Sequence, residues 1–192
     1  MKTIAGALAQ VEQFRPTPEE QKSHELILAL LRGTDAPFSR DQFHPGHITC
    51  TALVLHPDRE HILLMHHHLH KRWLLPGGHI EEFDATLSGA AARETHEETA
   101  VKIARSLGLA GLDVHGIPAR KQKGEPFHLH HDLIFAFEAA SGAIATTEEA
   151  PQVMWCRNTR LSDYAVPLCV AQALARAASA LTAALRHHTA ST

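Results

Sequence analysis

Residues 73–101 read WLLPGGHIEEFDATLSGAAARETHEETAV, and the fold turns on how this stretch is read. A Gly-rich loop, Pro76-Gly77-Gly78, is followed by a helix expected over about 85–99. Glu94, Glu97 and Glu98 stand at i, i+3 and i+4, so they share one helical face within about a turn. Like charges so placed repel by roughly a few tenths of a kcal/mol per pair in water. A fold has little reason to build such a face unless a cation neutralises it. Oxygen-only ligands favour a hard cation, Mg²⁺ or Mn²⁺. Arg93, four residues before Glu97, can reach a carboxylate from the side and orient it. The glycines let backbone approach a ligand with no Cβ in the way, and a carbonyl there can join the carboxylates around a metal. Mg²⁺ held by a few carboxylates usually shares phosphate oxygens. The chemistry implied is hydrolysis of a phosphoanhydride, with the metal neutralising phosphate charge and helping to form the attacking hydroxide.

Working outward, the chain has 192 residues, 44% hydrophobic and 20% charged, the profile of a globular protein of one domain with decorations. With 18 Lys+Arg against 21 Asp+Glu the formal net charge is −3, so there is no overall electrostatic reason to bind a nucleic-acid polymer or anionic lipid. Histidine is the outlier at 17 copies. Cys50, Cys156 and Cys169 are odd in number and far apart, which argues for a reduced, cytoplasmic protein rather than a disulfide framework. The apolar patch from Ile4 to Ala9 is interrupted too early for a signal-peptide core, and no apolar run approaches a membrane span.

Thr17-Pro18-Glu19-Glu20 is a capping box with proline at the first helical position, opening a first helix that Gly33 can stop. Residues 34–46 read as a connector. A hairpin is expected from strands over 47–55 and 61–67 around Pro57-Asp58-Arg59-Glu60. Further strands are expected near 111–118, over 128–138 and over 152–156, with a polar loop at 121–126. Leu174, Ala177, Ala178, Leu181 and Leu185 recur at helical spacing in a closing helix over 166–185. The order suggests a layered α/β or α+β domain.

The segment from Gly78 to Val101 resembles the Nudix box of the Nudix hydrolase family. That pattern is glycine, five residues, glutamate, seven residues, then Arg-Glu-apolar-x-Glu-Glu-x-Gly-apolar. Arg93-Glu94-Thr95-His96-Glu97-Glu98-Thr99-Ala100-Val101 is its second half here. The resemblance implies an α/β/α sandwich with a mixed sheet, carrying here an N-terminal helix and a long C-terminal helix. It implies Mg²⁺- or Mn²⁺-dependent cleavage of a nucleoside diphosphate linked to another moiety. By carry-over Glu94, Glu97 and Glu98 are metal ligands, one of them also a candidate base, Arg93 orients them, and the Gly78 carbonyl completes the metal shell. Its implied layout is a helical extension and connector over 1–45, a Nudix core over 46–160 and a C-terminal helix over 161–192. Three departures stand out: Asp84 replaces the first glutamate and is separated from Arg93 by eight residues rather than seven, Ala100 replaces glycine, and Thr95 takes an apolar position. In the family the Asp84 position usually supports the loop, and an aspartate there could equally cap the helix. The stretch from Asp113 to His130 is similar to one bacterial Nudix subgroup.

Outside the box, His128, His130 and Asp132 face one side of a strand and could wall the site, binding substrate phosphate or a further metal; the plainer alternative is a solvated strand entrance. Arg72, entering the Gly-rich loop, suits a phosphate. The run from His66 to His70 is either a transition-metal site or a solvated hairpin end. Trp73 is read as core rather than as a base-stacking platform, and Glu149 as an acidic residue reaching the catalytic side from a late loop. Cys50 is read as a small buried hydrophobe. The terminal helices are packing elements or a homodimer surface. The expected partner is a small phosphoanhydride substrate. The competing readings are a non-catalytic nucleotide-binding Nudix module, an isoprenoid-diphosphate isomerase that would need Cys50, and a His-rich metal-handling protein.

Overall fold

Strand β1 (Gly46–Leu55) is buried along almost its whole length because it runs through the middle of the sheet. The structure is a computed structural model that describes residues 2–68, 71–148 and 150–189, with side chains described as far as 183. On one edge β1 pairs in parallel with β6 (His128–Ala139), in continuous register from Gly46↔Leu129 to Leu55↔Glu138. β6 in turn pairs antiparallel with β5 (Ile103–Ile117).

The other edge of β1 is shared between two strands. Beyond the turn at Pro57–Glu60, β2 (His61–His67) meets β1 at Leu55↔Ile62 and continues antiparallel to β3 (Arg72–Leu74) and β7 (Gln152–Arg157). Where β2 has diverged, β4 (Gly77–His79) takes its place against Thr49–Thr51, and the Ala52 amide donates to the Pro76 carbonyl at 2.9 Å. The segment expected as a Gly-rich loop is therefore partly a strand laid beside the central one.

Helices cover both faces of this mixed sheet, giving the expected α/β/α sandwich. On one face Ile48, Cys50, Ala52 and Val54 of β1 pack with Leu133, Phe135 and Phe137 of β6. They lie under Leu87, Ala90 and Ala91 of α3 (Leu87–Thr99) and under residues of two N-terminal helices. On the other face Leu53, Leu55, Ile134 and Ala136 meet Val170, Ala173, Ala177 and Leu181 of α4 (Leu168–Thr189). The period-2 alternation of β1 and β6 is what divides the two cores. Of the residues expected on the inner face of α4, Ala177 and Leu181 are buried, Leu174 is half-buried and Ala178 is exposed.

The N-terminal extension holds two helices where one was expected, α1 (Ile4–Gln13) and α2 (Gln21–Gly33). Thr3 caps α1 by accepting from the Gly6 amide at 3.0 Å, and Ala7 and Val11, one turn apart, are fully buried. The Thr17/Glu20 capping box forms: the Thr17 amide donates to Glu20 Oε2 at 2.9 Å and the Glu20 amide to Thr17 Oγ1 at 3.4 Å. β5 is also longer than expected, because three register shifts between Ile103 and Gly111 break its alternation and hide its first half.

α3 begins at Thr86, whose Oγ1 accepts from the Gly89 amide at 2.9 Å, and ends at Ala100 in the left-handed region with φ 57°. Thr95 is fully buried and returns its hydroxyl to the Ala91 carbonyl at 2.8 Å, so its polarity is satisfied within the helix. Left-handed φ costs a non-glycine residue about 1 to 2 kcal/mol, partly offset by the greater freedom glycine has when unfolded. Ala100→Gly should therefore stabilise the protein by about 0.5 to 1 kcal/mol in urea denaturation; a lower midpoint would contradict the helix end described.

Candidate active site

Arg93 is the hub of the site. Its Nε and Nη2 donate to the two oxygens of Asp84, both at 3.0 Å. Its Nη1 donates to Glu94 Oε1 and Glu97 Oε2, both at 2.9 Å, and its Nη2 also donates to the His79 carbonyl at 2.9 Å. One guanidinium thus ties the loop before α3, the helix itself and strand β4 together. Asp84 first and then Glu94 raise its pKa against the opposing effect of burial. Burial alone would raise the Asp84 pKa, but the bidentate bond from Arg93 and the Glu81 amide at 2.8 Å outweigh it and hold the carboxyl below its usual value. Asp84 supports the loop and leaves the capping of α3 to Thr86.

The glutamates differ in setting. Glu98 is buried and accepts from the Gly77 amide at 3.0 Å. Glu94 lies against Gly78 so closely that a Cβ there would stand 2.7 Å from its carboxyl carbon. Glu97 is at the rim, its side chain 55% exposed. Only glycine at position 78 leaves room for the Glu94 carboxylate beside β4. The loop after β6 is fastened to the end of α3 by Thr147 Oγ1, which donates to the Glu98 carbonyl at 3.1 Å. Glu149, expected in this loop, lies outside the described residues.

The opposite side of β4 faces a polar patch. Parallel register sets His47 beside His130 and Thr49 beside Asp132, while β5 adds His115 beside His130 and Asp113 beside Asp132. His128, His130 and Asp132 do share one face, as their alternation predicts. Asp132 is buried and accepts from Thr49 Oγ1 at 2.9 Å; burial pushes its pKa up. His115 is paired with Asp113 at 2.8 Å, which raises its pKa. Burial first, then neighbouring positive charge including Arg40, pushes His79 down to about 4. His130 is pushed down to about 2 by burial and the surrounding imidazoles. His131, on the reverse face of β6, is held down to about 4 by burial.

Arg72 is exposed at the start of β3 and acts on His115 electrostatically. Trp73 is half-buried on the margin of the α4-side core, edge-on to Tyr164 at 5.7 Å. Cys50 is wholly buried, and burial pushes its thiol pKa up. His47 and His79 did not stand out in the sequence; the sign available was that His47, Thr49 and Thr51 alternate as His128, His130 and Asp132 do. Among the described residues no helix is long and apolar enough to cross a membrane.

Comparison with known proteins gives the family and the fold. Residues 46–176 match the model of the NUDIX domain. A probable DHNTP pyrophosphohydrolase of Lactococcus lactis subsp. cremoris is 32% identical over 124 residues, 64% of this chain and 72% of that protein. Among solved structures, the NUDIX domain of Shewanella oneidensis NrtR, complexed with ADP ribose, superposes with a TM-score of 0.54 at 20% identity. That match covers 79% of this chain and 96% of the other. A MutT protein from Methanosarcina mazei Go1 gives 0.50 at 20% identity, covering 69% and 92%. At such identities the structural likeness establishes the fold.

Two outcomes follow from the charges. Asp84→Ala removes three hydrogen bonds to a carboxylate, two from Arg93 and one from the Glu81 amide, and should cost about 1.5 to 3 kcal/mol in urea denaturation; an unchanged midpoint would show that the loop does not depend on them. In the unfolded chain imidazoles take up protons near about pH 6.5. Folded His47, His79, His130 and His131 resist protonation, with His115 alone of those shifted running the other way. Their stabilising contribution is full above about pH 6.5 and is lost as the pH falls toward about 4. Chelator-treated protein should unfold at lower denaturant at about pH 5 than at about pH 7.5; equal midpoints would contradict the depressed values.

Proposed function

We infer that this chain, which belongs to the NUDIX domain family and is a Nudix hydrolase, cleaves a phosphoanhydride bond in a nucleoside diphosphate linked to another moiety, using Mg²⁺ or Mn²⁺. The observation that carries this reading is the glutamate face of α3 set against the Gly77–His79 strand, with Arg93 orienting it. The pyrophosphohydrolase name of the Lactococcus relative supports the reaction type.

The donor set fits a hard divalent cation. Glu94 and Glu98 present carboxylates at adjacent points of one backbone stretch, Gly78 and Gly77, and Glu97 adds a third at the rim. Glu94, Glu97, Glu98 and the Gly78 carbonyl would hold the ion. When bound it neutralises phosphate charge and lowers the pKa of water.

The chain's own part is positioning and proton transfer. Arg93 holds Glu94 and Glu97 in fixed rotamers, and the Gly77 amide holds Glu98. One of the three glutamates accepts the proton of the attacking water. Arg72, exposed and acting electrostatically on His115, is assigned with His128, His130, Asp132 and Glu149 to the substrate side. The division into an extension over 1–45, a core over 46–160 and a terminal helix over 161–192 belongs to the same reading. The free thiols of Cys50, Cys156 and Cys169 suit a reducing compartment such as the cytoplasm. A proton-transfer isomerase would need a reactive cysteine, and Cys50 is enclosed in the α3-side core.

The test is product release from a panel of diphosphate compounds with Mg²⁺ or Mn²⁺, comparing wild type with Glu98→Gln. The amide keeps an acceptor for Gly77, so the fold should persist while turnover falls by several orders of magnitude. Near-wild-type activity in that variant would sink the assignment.

A further inference from the structure

A second candidate metal centre lies on the far side of β4 from the glutamates. His47 of β1, His79 of β4 and His130 of β6 each offer a ligand atom, and these atoms lie within 4.8 Å of one another. The ring centroids are 4.9 to 5.2 Å apart in all three pairs. Strand alternation explains the separation of the two sites: Gly78 abuts Glu94 on the α3 side, whereas His79 points to the other face.

An independent feature marks this cluster as a site. His47 is 1% exposed, its Nδ1 lies 3.2 Å from the Gln42 carbonyl, and its Nε2 has no hydrogen-bond partner among the described residues. A buried polar atom without a partner costs about 1 to 3 kcal/mol. With Nδ1–H donated to a carbonyl, the Nε2 lone pair is left for a cation. That is how metal-binding histidines are commonly held. His128 makes the analogous contact from Nδ1 to the Pro126 carbonyl at 2.9 Å and packs its ring against His47 and His130, which braces both.

We propose that His47, His79 and His130 bind a divalent transition-metal ion of the zinc class. Imidazole nitrogens suit Zn²⁺, Co²⁺ or Ni²⁺ and are poor ligands for Mg²⁺. Burial keeps these rings in the neutral form that ligation requires. Three protein ligands leave a fourth position for water or an oxygen of substrate. Arg40 and Arg120 lie within electrostatic range of His79 and suit an anionic oxygen there. The proposal stands apart from the glutamate site and does not depend on it.

The test uses full-length protein stripped with EDTA, titrated with Co²⁺ and followed by visible absorption, and with Zn²⁺ by calorimetry. With excess Mg²⁺ present to fill the glutamate site, wild type and a Glu97→Gln/Glu98→Gln variant should bind the ion equally at the histidines. His79→Asn and His130→Asn should each weaken binding by at least about 100-fold, beyond the loss typical of a supporting partner. Circular dichroism of the stripped variants checks that they fold. X-ray absorption of the zinc-loaded wild type provides a readout that needs no variant, and three imidazoles are expected around the ion. A group at the β1–β2 turn, half-buried His56 and His61 with exposed Asp58, offers another three ligands, so His56→Asn/His61→Asn is the control and should bind as wild type does. Full-strength binding in both His79→Asn and His130→Asn would overturn the proposal. So would loss of binding in the glutamate or turn variant, fewer than three imidazoles around zinc, or no binding by wild type.

Discussion

The site depends on one guanidinium. Without Arg93, the carboxylates of Asp84, Glu94 and Glu97 would sit together around a largely buried point with nothing to offset their charge. The cost of removing such groups from water exceeds what an isolated helix could bear. Arg93 meets it by spending nearly all of its donors on protein acceptors, and the fifth bond, to the His79 carbonyl, carries that order into the sheet. The loop, the helix and β4 are therefore placed by a single residue. This also explains how the chain tolerates a shortened side chain and an extra residue at Asp84: both carboxylate oxygens still reach the guanidinium, and Thr86 takes over the helix start.

A second constraint is the parallel pairing of β1 with β6. It runs unbroken over ten residue pairs and aligns the two polar strand starts, His47–Thr51 and His128–Asp132, in one row. β4 closes that row from the other edge by occupying the gap that β2 leaves. The apolar halves of the same strands supply the two cores, so one pair of strands carries both the packing and the polar row. The polar side chains of this row sit on rigid strands rather than on loops, which limits how far they can drift from one another.

Where the sequence was hard to read, the reasons are specific. α1 was missed because Gly6 weakens its helical pattern and the patch is short, although Thr3 and the pair Ala7 and Val11 mark it. The first half of β5 was missed because its bulges spoil the alternation that identifies a strand. The Gly77–His79 strand reads as a loop in the sequence because glycines carry no apolar signal and its pairing partner is remote. α3 is legible because its alanines and its glutamates repeat at short, local spacing, although its cap is Thr86 and not Asp84.

Local spacing settled, from the sequence alone, that Glu94, Glu97 and Glu98 share a helix face, that Arg93 can reach across a turn to Glu97, and that His128, His130 and Asp132 face one way. These are consequences of the 3.6- and 2-residue periods of backbone geometry, which need no partner. Only the tertiary structure decided that Arg93 also clasps Asp84 and β4, and that His47, His79 and His130 converge. Those meetings depend on strand register between distant segments, which is set by burial on both faces of the sheet and leaves no periodic trace in the chain.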